Sequence, residues 1–380
     1  MIIAIPKETE SWETRTPLLP ESVKKLKSSA EVTIRIEKGL AEHLGITDTE
    51  YSEAGAEIIA DRKKLLADAD IVLRINKPEL TEIKFLKKNS IHISFLDPFN
   101  EKKLIEEFAS NNISSISMEM IPRTTLAQKM DALSSQASLA GYAAVIESAR
   151  VIQKAFPMMM TPAGTISPVK VFIIGAGVAG LQAIATAKRL GARVEAYDTR
   201  EVVEDQVKSL GAKFIKFDIG ETGQTKDGYA KALTEEQLQL QRKLMKERCV
   251  ASDVVITTAK LFGRKAPLII PGSTIKEMKP GSVVVDLAVE TGGNVEGSKA
   301  GETVVKNGVS IIGIRNLPGT VAVHSSQMYG SNLANLLIQF WNKEQNQFEL
   351  KHEDEIIKGC LITDDGKIIN ETILKHYQKG

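Results

Sequence analysis

Short apolar runs alternate with amphipathic stretches through the first third of the chain. Ile2–Ile5, Val32–Ile36, Ile71–Ile75, Ile91–Leu96 and Ile113–Met118 read as strands, and Glu21–Lys27, Arg62–Ala67 and Glu101–Ala109 as helical segments between them. That alternation predicts a parallel-sheet α/β domain. From Leu126 to Ala155 the pattern is helical with few breakers, which predicts a long helix, bent near Gly141, linking to a second domain.

The second domain begins near Val169. Further strands are expected at Val254–Thr257, Ser282–Leu287 and Ser310–Ile314, and a second long amphipathic helix at Gln327–Trp341. The tail holds strand-like runs, Phe348–Leu350 and Ile356–Leu361, too small to form a domain, so it is expected to return to the first one. The predicted fold class is α/β: two Rossmann-like doubly wound parallel-sheet domains joined by long helices. The first is expected to be discontinuous, 1–135 plus 328–380, and the second to span 136–327. Within the second, 218–233 is rich in Gly and polar residues and longer than an ordinary connection, which predicts a mobile loop.

The strongest local signal is the order of elements from Val169 to Arg200. An apolar run leads into Gly175-Ala176-Gly177-Val178-Ala179-Gly180, then a helical stretch, then a second apolar run ending at Asp198. Strand, glycine turn, helix, strand and acid in that order describe a dinucleotide-binding unit. Gly175 permits the tight turn, Gly177 lets backbone approach a pyrophosphate, and Gly180 lets the helix lie close on the strand. The helix N-terminus offers N–H groups and a positive dipole end to the phosphates. A carboxylate at Asp198 accepts hydrogen bonds from the adenosine ribose and repels a 2′-phosphate, favouring NAD over NADP. Arg200 is readable either as a phosphate contact or as a solvated charge at a helix start.

Composition narrows the class. The 380 residues suffice for two domains, and 49 Lys+Arg against 48 Asp+Glu give a net charge of +1, with no bulk footprint for nucleic acid. Cys249 and Cys360 lack metal spacing and fit a reducing compartment. The start, MIIAIPKE, is not a secretory signal. The most membrane-like run, Val171 to Ala187, is broken by glycines and Gln182, and a buried βα unit explains it better than a span. A soluble chain is expected.

His43, His92, His324, His352 and His376 are scattered, and His92 reads as a core or surface residue. No metal motif or nucleophile elbow stands out. What remains is a polar cluster between the domains: Arg123, Gln128, Asp131, Ser134, Ser135 and Gln136. It is readable as a site or as a solvated helix start with Asp131 or a serine as its cap.

Several segments carry a resemblance. MIPRTTLAQKMDALSSQASLAGYAAVIESA, PMMMTPAGTISPVKVFIIGAGVAGLQAIATAKRLGA, KDGYAKAL, KPGSVVVDLAVETGGN and the opening IPKETESWETRTPLLPESV resemble the NAD(P) transhydrogenase α subunit family, specifically its soluble NAD-binding domain. The similarity runs from Met1 to about Asn370. Alanine dehydrogenase is the nearest sister family. Where that family carries a catalytic lysine, this chain reads Arg74-Ile75-Asn76-Lys77-Pro78 with Asn76 at the match; Lys77 would point to the other face of a continuing strand. Where it carries a catalytic histidine, this chain has Phe95. Oxidising an amino acid moves protons as well as hydride, whereas transfer between two nicotinamides needs only alignment of the rings. Arg15 matches a substrate-carboxylate arginine of the sister family.

The resemblance implies a role for each site residue. Arg123 and Asp131 hold the nicotinamide carboxamide end, Gln128 reaches toward the partner's nucleotide, and Ser134 contacts the nicotinamide or its ribose. Val178, beside Ala179 in the glycine turn, touches the pyrophosphate. Asp198, Thr199 and Arg200 bind the adenosine ribose and its surroundings. Gly228 and Tyr229 belong to the loop that closes over NAD. Ala259 and Lys260 flank the nucleotide, with Lys260 where the family usually has an apolar residue. It further implies a homodimer that passes hydride from NADH to NADP held by a β subunit. A membrane-spanning subunit would couple this to proton translocation, with the chain peripheral on the cytoplasmic face of the inner membrane. An alanine-dehydrogenase-like oxidoreductase and a non-catalytic NAD-sensing module are the alternatives.

Overall fold

The computed structural model describes residues 1–218 and 234–379. The chain divides into two compact units, one of residues 1–136 with 318–380 and the other of residues 137–317. The strands of the first are β1 (Ile2–Ile5), β2 (Thr33–Glu37), β3 (Ala56–Ile59), β4 (Ile71–Leu73), β5 (Ile91–Ser94) and β6 (Ser114–Ser117). The second holds a short hairpin, β7 (Met159–Thr161) and β8 (Gly164–Ile166), then β9 (Lys170–Ile174), β10 (Arg193–Tyr197) and β11 (Lys213–Phe214). It continues with β12 (Val254–Thr257), β13 (Val283–Asp286), β14 (Glu302–Lys306) and β15 (Val309–Gly313). The tail adds β16 (Trp341–Asn342), β17 (Gln347–Phe348), β18 (Leu361–Asp364) and β19 (Lys367–Ile368).

The first unit is built on an eight-stranded sheet ordered β19-β18-β6-β5-β4-β1-β2-β3, parallel except for the antiparallel β18 and β19. The second has a seven-stranded sheet ordered β11-β10-β9-β12-β13-β15-β14, with only β14 antiparallel. Each therefore contains the doubly wound order, which reverses direction between its first and fourth strands and leaves a crevice at their carboxyl ends. The strands carry nearly unbroken apolar runs because helices cover both faces. In the first unit Ile3, Ile34, Leu73 and Ile93 pack with Tyr329, Leu333 and Leu337 of the helix Ala322–Gln339. In the second, Val171, Ile173 and Ile256 pack with Ala143 and Ala144 from one helix and Ala183 and Ile184 from another. On the opposite face Phe172, Val255 and Val284 meet Met245 and Cys249.

Several expectations change. The helix expected from Leu126 to Ala155 is a 3-10 turn, Ala127–Met130, and then the helix Ala132–Val151. Asp131, with φ −70° and ψ 88°, interrupts the helical path and caps the second helix by accepting from the Ser134 N–H at 2.9 Å. Ile356–Leu361 is not a strand but the helix Glu355–Cys360 running into β18, because Asp354 caps it and Ile356, Ile357 and Cys360 form one buried face. The second long helix starts at Ala322, five residues before the expected Gln327, and lies within the first unit. β4 ends at Leu73, so the alternation argument for Lys77 does not apply; its amine binds Glu101 at 2.6 Å instead. The loop expected at 218–233, including Gly228 and Tyr229, lies outside the described residues beyond Asp218. No helix among the described residues is long and apolar enough to cross a membrane.

Candidate nucleotide-binding site

The glycine turn sits where the second sheet reverses its order, between the ends of β9 and β12. Gly175 adopts φ +99°, a conformation costly for other residues, and its N–H donates to the Tyr197 carbonyl at 2.8 Å. The Thr258 hydroxyl, from the end of β12, donates to the Gly175 carbonyl at 3.0 Å. A methyl group on Gly180 would lie 1.9 Å from that same carbonyl oxygen, so only glycine lets the helix Val178–Arg189 rest on the turn. Gly177 differs, since nothing lies within 4 Å of its missing side chain. It occupies the N-cap of the helix without any side chain satisfying the first N–H groups. An open approach, uncapped N–H groups and the positive end of the dipole make this a place for a phosphate anion. A pyrophosphate fits this cradle.

Asp198 follows β10. Its carboxylate accepts from the Ala176 N–H at 2.7 Å, which ties the acid directly to the glycine turn. It also accepts from the Arg200 main chain at 2.8 Å and from both arms of the Arg200 guanidinium at 3.0 Å. Burial alone would push the carboxyl up, but these donors hold it below the usual range. Thr199 is exposed beside it. Tyr197 stacks on Phe217 with ring centroids 4.6 Å apart.

Ala259 is held through Asn294, whose amide oxygen accepts from the Ala259 N–H at 3.2 Å and whose NH2 donates to the Ala259 carbonyl at 3.0 Å. Asn294 is fixed in turn by buried Asp286, which accepts from its N–H at 3.0 Å. Lys260 is exposed. Thr258, Asn294 and Asp286 were not among the expected site residues. The run VVVD ending β13 and the GGN after it were the available signals, because an acid at a parallel strand's carboxyl end faces the crevice.

In the first unit, Asp131 and Ser134 are brought together. The Ser134 hydroxyl donates to Asp131 at 2.6 Å, so Asp131 is the helix cap. Ser135 donates to Asn332 at 2.7 Å, and Gln136 is buried with its NH2 on the Ser325 carbonyl at 3.0 Å. Arg123 and Gln128 are exposed in the preceding loop. His92 is buried against Phe108, and burial reinforced by the nearby Arg74 charge keeps its ring neutral.

Arg15 is enclosed. Its guanidinium donates to both Glu13 carboxylate oxygens, at 2.8 and 2.6 Å, and to the Gln136 amide oxygen at 2.8 Å. Asn76 donates to the same Glu13 carboxylate at 2.8 Å. Burial would raise the Glu13 carboxyl, yet the Arg15 guanidinium holds it low. Phe95 packs against Tyr329 with centroids 5.3 Å apart.

Two family descriptions match the chain: alanine dehydrogenase/PNT, N-terminal domain, over residues 4–140, and alanine dehydrogenase/PNT, C-terminal domain, over residues 144–371. The first part of the NAD(P) transhydrogenase subunit alpha of Rhodospirillum rubrum, a separate chain there, is 42% identical over 380 residues, covering 98% of this chain and 99% of that one. A crystal structure of transhydrogenase from Sinorhizobium meliloti matches with TM-score 0.85 and 39% identity, covering 98% of this chain and all of that one. The alanine dehydrogenase of Halomonas elongata is 28% identical over 384 residues, covering 99% of this chain and 97% of that one.

Proposed function

We propose that this chain, which belongs to the family shared by alanine dehydrogenase and the NAD(P) transhydrogenase alpha subunit, is the NAD(H)-binding part of an NAD(P) transhydrogenase. The observation that carries the NAD(H) assignment is the glycine cradle with Asp198 bonded to Ala176. The turn would receive the pyrophosphate through the N–H groups of Val178, Ala179 and Gly180. Asp198 would take the adenosine ribose, with Thr199 and Arg200 at its edge. Ala259, held by Asn294, and Lys260 would flank the nucleotide. Arg123, Asp131 and Ser134 would hold the nicotinamide end, and Gln128 would reach toward the nucleotide of a partner. When bound, the nicotinamide supplies a hydride; the chain's residues supply binding and orientation. NADP would be carried by a partner β subunit, because the chain shows a single glycine fingerprint. A membrane-spanning subunit would couple the reaction to proton movement, placing the chain on the cytoplasmic face. The exposed apolar hairpin of Met158, Met159, Met160 and Ile166 suits a homodimer contact.

The enclosed Arg15 argues against an alanine-dehydrogenase-like reaction. A substrate carboxylate needs a free guanidinium fork, and Glu13 already takes both of its arms. Asn76 and Phe95 stand where that chemistry needs groups that move protons.

Rapid mixing of this chain with NADH, NADP⁺ and an NADP-binding β subunit tests the proposal. Hydride transfer is expected only with the partner present, and Gln128→Asn is expected to slow it while leaving NADH affinity nearly unchanged. Transfer by the isolated chain would overturn the two-protein reading. NADH binding without transfer under any partner condition would leave a sensing module.

A further inference from the structure

The Asp198 carboxylate is saturated. Oδ1 accepts from the Arg200 N–H at 2.8 Å and from Arg200 Nε at 3.0 Å. Oδ2 accepts from the Ala176 N–H at 2.7 Å and from Arg200 Nη2 at 3.0 Å. An ionised carboxylate offers roughly four lone-pair sites, so every one is in use. Two of the donors are main-chain groups fixed by the turns that carry them. The other two belong to one guanidinium, whose side chain is 58% exposed while that of Asp198 is 7% exposed. A ribose diol that hydrogen-bonds to Asp198 therefore has to take the place of the guanidinium, the only pair of donors able to leave without unfolding a turn.

We propose that Arg200 is a latch on Asp198 which the adenosine ribose displaces, and that its guanidinium becomes an anchor for a 2′-phosphate once the carboxylate is removed. The proposal rests on the nucleotide-binding reading above. Without Asp198, the groups left around the vacated space are all donors: the N–H of Ala176, the N–H of Arg200 and the guanidinium. That is the equipment of a phosphate site, with a planar fork suited to two oxygens. Selectivity for the unphosphorylated ribose then has two parts. The carboxylate repels a 2′-phosphate, and it also neutralises the cation that would otherwise attract one.

Equilibrium titration of the intact chain with ADP-ribose and with 2′-phospho-ADP-ribose reads both parts. Arg200→Ala is expected to bind ADP-ribose roughly two- to fivefold more tightly, since an exposed ion pair no longer competes. Asp198→Ala is expected to lose affinity for ADP-ribose and gain about tenfold or more for the 2′-phosphorylated form, and the double variant is expected to lose that gain. Should Asp198→Ala fail to fold, Asp198→Asn carries the same comparison. Unchanged or weaker ADP-ribose binding by Arg200→Ala overturns the latch while leaving the nucleotide site intact. A gain that survives in the double variant overturns the anchor. If the parent binds neither ligand, the nucleotide-binding reading falls and the latch falls with it.

Discussion

Alanine at Gly177 and alanine at Gly180, roughly one helical turn further on, should separate binding from folding, because the space around the two glycines differs. A methyl carbon on Gly180 would sit 1.9 Å from the Gly175 carbonyl oxygen and 2.9 Å from the carbonyl carbon. Close carbon-to-oxygen contacts lie at about 3.3 Å, so helix and turn must part by about 1.4 Å. Forced packing of this kind costs about 1–3 kcal/mol or more, offset by roughly 1 kcal/mol of helix propensity gained over glycine. Gly180→Ala is therefore expected to lower the melting temperature by several degrees, at about 2–4 °C per kcal/mol for a unit of this size. Gly177 has open space and φ −78°. Alanine there is accommodated, and stability is expected to hold or rise by about 0.4–1 kcal/mol through the unfolded chain. The methyl group instead occupies the approach of the pyrophosphate, and a clash of about 1–3 kcal/mol weakens binding by roughly 5- to 150-fold. Melting curves without nucleotide and fluorescence titration with NADH measure the two effects. If Gly177→Ala binds NADH like the parent, the turn is not the phosphate cradle.

Gly141→Ala is expected to destabilise the second unit by about 1–3 kcal/mol, since the added carbon would lie 2.1 Å from the Ala179 carbonyl oxygen; a thermal melt decides it. Glu13→Gln leaves the buried Arg15 cation without its counter-charge and should cost about 3–5 kcal/mol in denaturant unfolding at neutral pH. Because the folded state holds the Glu13 carboxyl below its ordinary 4.5, that stabilisation is complete above 4.5 and is lost as pH falls through the lowered value, so the gap between parent and Glu13→Gln should shrink in acid. Thr258→Val removes the hydroxyl that donates to Gly175 and should cost about 0.5–1.5 kcal/mol, checked by the same unfolding assay.

The strands of both sheets were legible because parallel strands covered on both faces must be apolar along their length. Ile2–Ile5 and Val254–Thr257 have the expected limits. β3, reading Ala-Glu-Ile-Ile at an edge, carries too little of that signal to stand out. Ile356–Leu361 misled because four apolar residues in six satisfy a short strand and a short helix equally, and the deciding feature is the Asp354 cap. Gly141 was read as a bend, but the helix runs through it, and its small size serves the close approach of Ala179. In the site, the glycines were visible from their spacing. Thr258 and Asn294 were not, because their partners are main-chain carbonyls on other strands, and no local pattern records such a long-range bond.

The two sheets share one strand order, so the fold supplies two switch-point crevices, and side chains make them different. In the first unit, Glu8 beyond β1 accepts from the Ile75 N–H at 2.7 Å and the Asn76 N–H at 3.3 Å beyond β4, stitching the crevice shut. Burial pushes the Glu8 carboxyl up, a cost that the nearby Arg74 cation and these two N–H donors partly offset. Glu13 and Arg15 complete the closure with a pair that consumes both charges. In the second unit, a threonine hydroxyl is the bond from β12 to the glycine turn, and Gly177 faces open space. A crevice filled by carboxylates cannot take a phosphate, whereas one lined by uncapped N–H groups attracts it. Topology places the crevices, and the choice between glutamate and glycine at the end of the first strand decides which of them can receive a nucleotide.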